Sequence, residues 1–239
     1  MKVKQFFQPS TEAELVTALT YMHSPDSYVV AGGTDFLALR HSSSWQAENI
    51  LSLAKLPFLS RLEQEGEHLS IGAACTHAAI SGDHRINQYF PALAKACGDI
   101  GSVQIRNRGT IGGNLVNASP AGDTIPCLFL FEAQAELLDA AGQKRMLPVA
   151  DFLLGPGKTA LRDAEILTRL LLPLPAPGWQ NSYWKLGTRS KVTISQIVLA
   201  AAWKKEAQAL SGLRLYIGSI SQKPLLIAEA AALLGTDCP

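Results

Sequence analysis

The chain has 239 residues, 47% of them hydrophobic and 17% charged, with 21 Lys plus Arg against 20 Asp plus Glu. That near-neutral balance excludes the basic surface nucleic-acid binders need, and a chain this long buries roughly 70% of its unfolded surface, enough for one large domain or two modest ones. The start, MKVKQFFQPS, lacks a signal-peptide core and no apolar run reaches membrane-span length, so the expected location is the cytoplasm.

Thr11 with Glu14 forms a capping box ahead of Leu15, Leu19 and Met22 at helical spacing, which predicts a helix over 11–22 ended by Ser24-Pro25. Tyr28 to Ala31 reads as a short strand stopping at Gly32-Gly33, after which Thr34 or Asp35 caps a short helix through Arg40. Strands are predicted at 49–53 and 68–73, a short helix from Thr76 toward Ser81, and a helix over 90–97. Residues 102–117 carry little helical periodicity and read as a strand entering and leaving a polar loop. Asp123 and Thr124 are candidate caps for a hydrophobic helix through Phe131, with Pro126 tolerated in its first turn. A hairpin follows over 136–147, then a strand over 165–172. Pro173, Pro175, Pro177 and Gly178 mark a linker, beyond which strands are predicted at 183–186, 197–204 and 213–220 and a helix at 226–234.

Cys75, Cys97, Cys127 and Cys238 lie far apart without a C-x-x-C, and the five histidines are scattered, so no metal or iron–sulfur site is encoded at close spacing. His77 and His84 read as surface or core histidines. Gly157-Lys158-Thr159 ends like a P-loop, but Phe152 stands where the pattern needs its first glycine, leaving a plain turn. There is no G-x-G-x-x-G and no G-x-S-x-G. What remains is a pair of glycine loops, AGGTDF and RNRGTIGGN. Glycine admits close ligand approach and positive φ, so consecutive glycines can turn several N–H groups toward one phosphate, and two such loops suit a diphosphate. Arg106 and Arg108 would add charge, Thr110 a hydroxyl and Asn114 an amide. Each loop taken alone also fits an ordinary turn.

AGGTDF, TIGGN at 110–114, NASPAGD at 117–123 and AEILTRLLLP at 164–173 together resemble the FAD-binding subunit of molybdenum hydroxylases, the xanthine dehydrogenase and carbon monoxide dehydrogenase family. The resemblance covers essentially the whole chain. It implies an α+β architecture: a two-subdomain FAD-binding fold of the vanillyl-alcohol oxidase (PCMH) type over 1–175, divided near residue 55, and a shortened α+β C-terminal domain over 176–239. Carried over, Val29, Val30, Ala31, Gly32, Gly33, Thr34, Asp35 and Phe36, with Thr110, Ile111, Gly112, Gly113 and Asn114, would hold the FAD diphosphate through backbone N–H groups and hydroxyls. Asp35, a like charge beside phosphate, would turn to backbone donors or ribose. Asp123 would bind the adenosine part, or simply cap a helix. Ile166 or Leu167 would contact the adenine side, Ile100 would border the cofactor and Lys185 would lie near the flavin. Ile100, Ile166 and Leu167 equally suit a core. The implied role is electron transfer: a molybdopterin large subunit oxidises substrate, a small subunit with two [2Fe-2S] clusters relays electrons to this FAD, and NAD or another acceptor receives them. A non-catalytic scaffold of the same fold without functional flavin is the alternative.

Overall fold

The computed structural model describes residues 2–39, 45–189, 192–207 and 209–235, so Arg40 and Cys238 lie outside the described residues. Strand β1 (Lys2–Phe7) has no counterpart among the predicted elements. Helix α1 (Glu12–Leu19) follows, capped by the Thr11 hydroxyl on the Glu14 amide at 3.2 Å. The Glu14 carboxylate reaches back to the Ser10 amide and hydroxyl, at 2.7 and 2.9 Å, so the box closes one residue upstream of Thr11. Strands β2 (Ser27–Val30) and β3 (Gln46–Ser52) flank helix α2 (Thr34–Leu39), and the three strands form a parallel sheet in the order β1-β3-β2. Parallel neighbours need crossovers, which α1 and α2 supply.

The second sheet is antiparallel, ordered β4-β5-β10-β6-β7, from β4 (Leu62–Glu65), β5 (His68–Gly72), β6 (Gln134–Asp139), β7 (Lys144–Pro148) and β10 (Glu165–Pro173). The connection between β5 and β6 carries six helices and no strand: α3 (His77–Gly82), α4 (His84–Tyr89), α5 (Pro91–Asp99), α6 (Val103–Arg106), α7 (Ile111–Asn117) and α8 (Ile125–Leu130). The strand expected over 102–117 is therefore overturned. A short helix α9 (Val149–Phe152) and a small ribbon of β8 (Leu153–Gly155) and β9 (Lys158–Thr159) fill the way to β10, placing Gly155-Pro156-Gly157 in a turn.

After the proline-rich connection, β11 (Trp179–Gly187), β12 (Ser195–Glu206), β13 (Ala209–Gly218) and β14 (Leu225–Leu226) form a four-stranded antiparallel sheet. The helix predicted at 226–234 is a 3₁₀ segment, Ala228–Leu233, with only Ala230 buried and thus no apolar stripe to stabilise an α-helix. Tyr183, Val198, Ala200 and Ala202 of the third sheet join the same core as Leu93, Leu128 and Leu170, so α5 and α8 lie between the second and third sheets. A smaller core, centred on Leu15, Leu19, Leu51 and Leu59, unites the first sheet with Leu138 and Ile166 of the second.

Candidate cofactor site

Three chain segments meet beneath the first glycine turn. Ile111 and Gly112 at the start of α7 donate their amides to the Cys75 and Ala73 carbonyls, at 3.0 and 2.9 Å, and His77 donates its amide to the Gly109 carbonyl at 3.0 Å. The glycines permit this contact. A Cβ added at Gly32 would stand 1.9 Å from the Arg108 carbonyl oxygen, one at Gly112 2.6 Å from the Ala73 carbonyl oxygen, and one at Gly113 2.9 Å from Thr110 Oγ1. Gly33 has φ +73°, in the left-handed region.

Over this junction lies a cavity of about 540 Å³, lined by residues 28–36 and by His77, Ile100, Gly109, Thr110, Gly113 and Asn114 among others. The amides of Gly32, Gly33 and Thr34 have no acceptor among the described residues, and with the Thr34 hydroxyl they form a donor-rich wall suited to an anion. The second glycine segment differs from expectation. All its first-turn amides are occupied: Ile111 and Gly112 as above, Gly113 by Thr110 Oγ1 at 3.1 Å and Asn114 by the Thr110 carbonyl at 2.9 Å. What TIGGN presents to the cavity is side-chain chemistry, the Thr110 hydroxyl and the Asn114 amide, whose carbonyl is fixed by the Thr124 hydroxyl at 2.7 Å. Arg106 is likewise committed, donating to the Ile100 and Gly101 carbonyls at 3.0 and 2.9 Å and so holding the turn where the next cavity begins.

That second cavity, of about 940 Å³, is lined by residues of the 98–106 segment and by Trp184, Lys185, Leu186 and Thr193 among others. Ile100 borders the first cavity and Gly101 the second, so the two adjoin across one turn. Lys185 Nζ lies 2.8 Å from Asp123 Oδ2 and 3.5 Å from the Asp99 carbonyl. Asp123 Oδ1 accepts from the Tyr183 hydroxyl at 3.0 Å and from the Ser195 hydroxyl. Burial, followed by the Asp123 charge, holds the Tyr183 phenol well above its ordinary range, so it stays a neutral donor. Burial also raises the Cys97 and Cys127 thiols, and Cys75 to about 11, which removes all three as nucleophiles.

This geometry corrects two expectations. Asp123 neither caps α8, whose Thr124 makes no side-chain cap bond, nor reaches the glycine-lined cavity. Its carboxylate is instead ion-paired with Lys185, which lines the larger cavity. Ile166 and Leu167 are 3% and 4% exposed and line neither cavity; Ile166 shares the small core with Ala31 and so supports the first glycine turn from below. Ile100 and residues 29–36 line the first cavity, Asp35 being exposed there. His77, Tyr183 and Ser195 were not among the candidates. A histidine directly after the Thr76 cap was a usable signal for the first, while the other two are linked to the site only through pairings across 60 and 72 positions.

No group of His, Cys, Asp and Glu among the described residues could hold a metal ion, and no helix among them is long and apolar enough to cross a membrane. The two cavities suit an extended ligand with an anionic middle and a flat ring: unpaired amides on one side, and on the other a mixed wall that combines Val103, Trp184 and Leu186 with the buried Lys185 ammonium. Comparison with known proteins points the same way. The family described as "FAD binding domain in molybdopterin dehydrogenase" matches residues 2–175. The chain is 31% identical to the nicotinate dehydrogenase FAD-subunit of Eubacterium barkeri, over 98% of this chain and 80% of that one. It is 30% identical to the xanthine dehydrogenase FAD-binding subunit of Escherichia coli O157:H7, over 94% and 77%. A chain in the solved structure of carbon monoxide dehydrogenase from Hydrogenophaga pseudoflava superposes with a TM-score of 0.88 at 27% identity, over 98% of this chain and 81% of that one.

Proposed function

The chain belongs to the family of FAD-binding domains in molybdopterin dehydrogenases, and from that premise we propose that it receives electrons from a [2Fe-2S] partner subunit of a molybdopterin-dependent dehydrogenase and passes them to NAD or another acceptor. FAD supplies the redox chemistry when bound, taking electrons singly and releasing them as a pair. The protein's residues bind and orient it. The amides of Gly32, Gly33 and Thr34, with the Thr110 hydroxyl and the Asn114 amide, hold the diphosphate. Ile100 and Lys185 would border the ring system, and Asp123 fixes Lys185 at the wall of the larger cavity.

The observation that carries this reading is the pair of adjoining cavities, one rich in unpaired donors and the other holding a single buried ammonium. Similarity to an FAD-subunit of nicotinate dehydrogenase and to a medium chain of carbon monoxide dehydrogenase supports placement in a multi-subunit complex. We place the FAD-binding domain at 1–175, with its subdomains meeting near residue 55, and the C-terminal domain from 176. The purified chain is expected to show a flavin absorption spectrum or to take up added FAD stoichiometrically. A colourless protein that takes up none overturns the flavin reading. Co-purification with an iron–sulfur and a molybdopterin subunit, and reduction of the bound flavin by NADH, test the partners and the acceptor separately.

A further inference from the structure

We infer that His77 is a direct ligand contact of this site, donating a hydrogen bond from Nε2 to the diphosphate of the bound dinucleotide. The inference rests on the reading of the smaller cavity as an FAD site. His77 lines that cavity, yet it is only 3% exposed, and its Nδ1 is buried with no hydrogen-bond partner. A residue there only to fill space would be apolar, since a buried ring nitrogen without a partner carries a desolvation penalty that leucine avoids.

The orphaned nitrogen also selects the tautomer. A neutral imidazole carries one N–H, and a buried donor without an acceptor is more costly than a buried lone pair, so the proton resides on Nε2. Nε2 adjoins Cδ2, and that edge of the ring faces the junction of the two glycine segments. A Cβ added at Gly109 would stand 3.2 Å from His77 Cδ2 and 3.5 Å from Thr34 Oγ1, so the imidazole edge and the Thr34 hydroxyl converge beside the unpaired amides of residues 32–34. The backbone around the histidine is fixed: its own amide bonds Gly109, and the Thr76 hydroxyl caps the helix it begins by accepting from the Ala79 amide at 3.2 Å. Burial alone lowers the pKa of the imidazole to about 4, so in the ligand-free protein it is a neutral donor held in place, with no charged partner to leave when an anion arrives.

The test uses the full chain, stripped of flavin, in three forms: parent, His77→Leu and His77→Gln. FAD affinity is read from quenching of flavin fluorescence, and the imidazole nitrogens by ¹⁵N NMR before and after FAD addition. Losing a donor to a charged acceptor is expected to raise the FAD dissociation constant of the leucine variant about tenfold or more. The glutamine variant, which keeps an N–H donor, should stay within about threefold of the parent, and the Nε2 resonance of the parent should move on FAD binding. A leucine variant that binds FAD as tightly as the parent overturns the inference. So does equal weakening in both variants with an unmoved Nε2 resonance, the signature of a purely structural role. If the parent itself takes up no FAD, the flavin reading fails instead, an outcome separate from the other two.

Discussion

Gly32 illustrates how residue-scale packing shapes the cofactor site. Its missing side chain makes room for protein backbone, because an added Cβ would overlap the Arg108 carbonyl at 1.9 Å. Gly32→Ala is therefore expected to push the first turn off the second segment, lowering stability by about 3 kcal/mol in urea titrations and abolishing FAD retention. Gly66→Ala is the control: φ is +58°, nothing lies within 4 Å, and the cost of about 1 kcal/mol is backbone strain without loss of FAD. His77 gives a pH signature in the ligand-free chain. Its folded pKa of about 4 lies below the ordinary 6.5, so between those values the unfolded chain takes up a proton that the native chain refuses. Stability from this group is complete above pH 6.5 and falls as pH drops toward 4, by about 3 kcal/mol in all. Urea midpoints across that window should decline in the parent and flatten in His77→Leu. The glycines themselves were legible in the sequence. Their structural reason was not, because Arg108 and Ala73 press on them from segments that local pattern does not connect.

At the scale of elements, α7 departs furthest from the sequence pattern. Two glycines and two asparagines in seven residues are poor helix formers, and the buried apolar row is short, Ile111 and Leu115 followed by Ala118 at its end. Tertiary hydrogen bonds to Ala73 and Cys75 and the Thr110 cap on Gly113 hold it in place of intrinsic propensity. Thr110→Ala should therefore cost about 1 kcal/mol, measured by chemical unfolding, while Thr110→Ser, which keeps the cap, should cost less. Elements with strong local signals matched their expectations: α1 with its cap, the β6–β7 hairpin, and β10, whose buried run pairs with both β5 and β6. β1 and α4 were missed. β1 is exposed or half-buried throughout, and α4 buries only Ile86, so neither carries an apolar period to read.

Across the whole molecule, the third sheet is tied to the rest by polar contacts as well as by its core face. Asn181 of β11 accepts from the Ala92 amide at 2.9 Å and donates to the Tyr89 carbonyl at 3.0 Å, bracketing the start of α5, while Tyr183, Lys185 and Ser195 all converge on Asp123. Asp123→Ala would strand a buried ammonium and two buried hydroxyls, and is expected to destabilise the protein by about 3–5 kcal/mol. Hydrogen exchange should then accelerate in β11 and β12 ahead of β5 and β10. The order of motifs made the overall architecture legible, but this convergence depends on contacts spanning 60 to 72 positions, which a linear pattern does not display. The same span fixes when the site can exist during synthesis. Its walls draw on the turn at residue 32, the histidine at 77, the helix at 111 and the strands carrying 185 and 195. A nascent chain on the ribosome therefore has no complete pocket until the strand that begins at Ser195 has left the exit tunnel and its hydroxyl has reached Asp123.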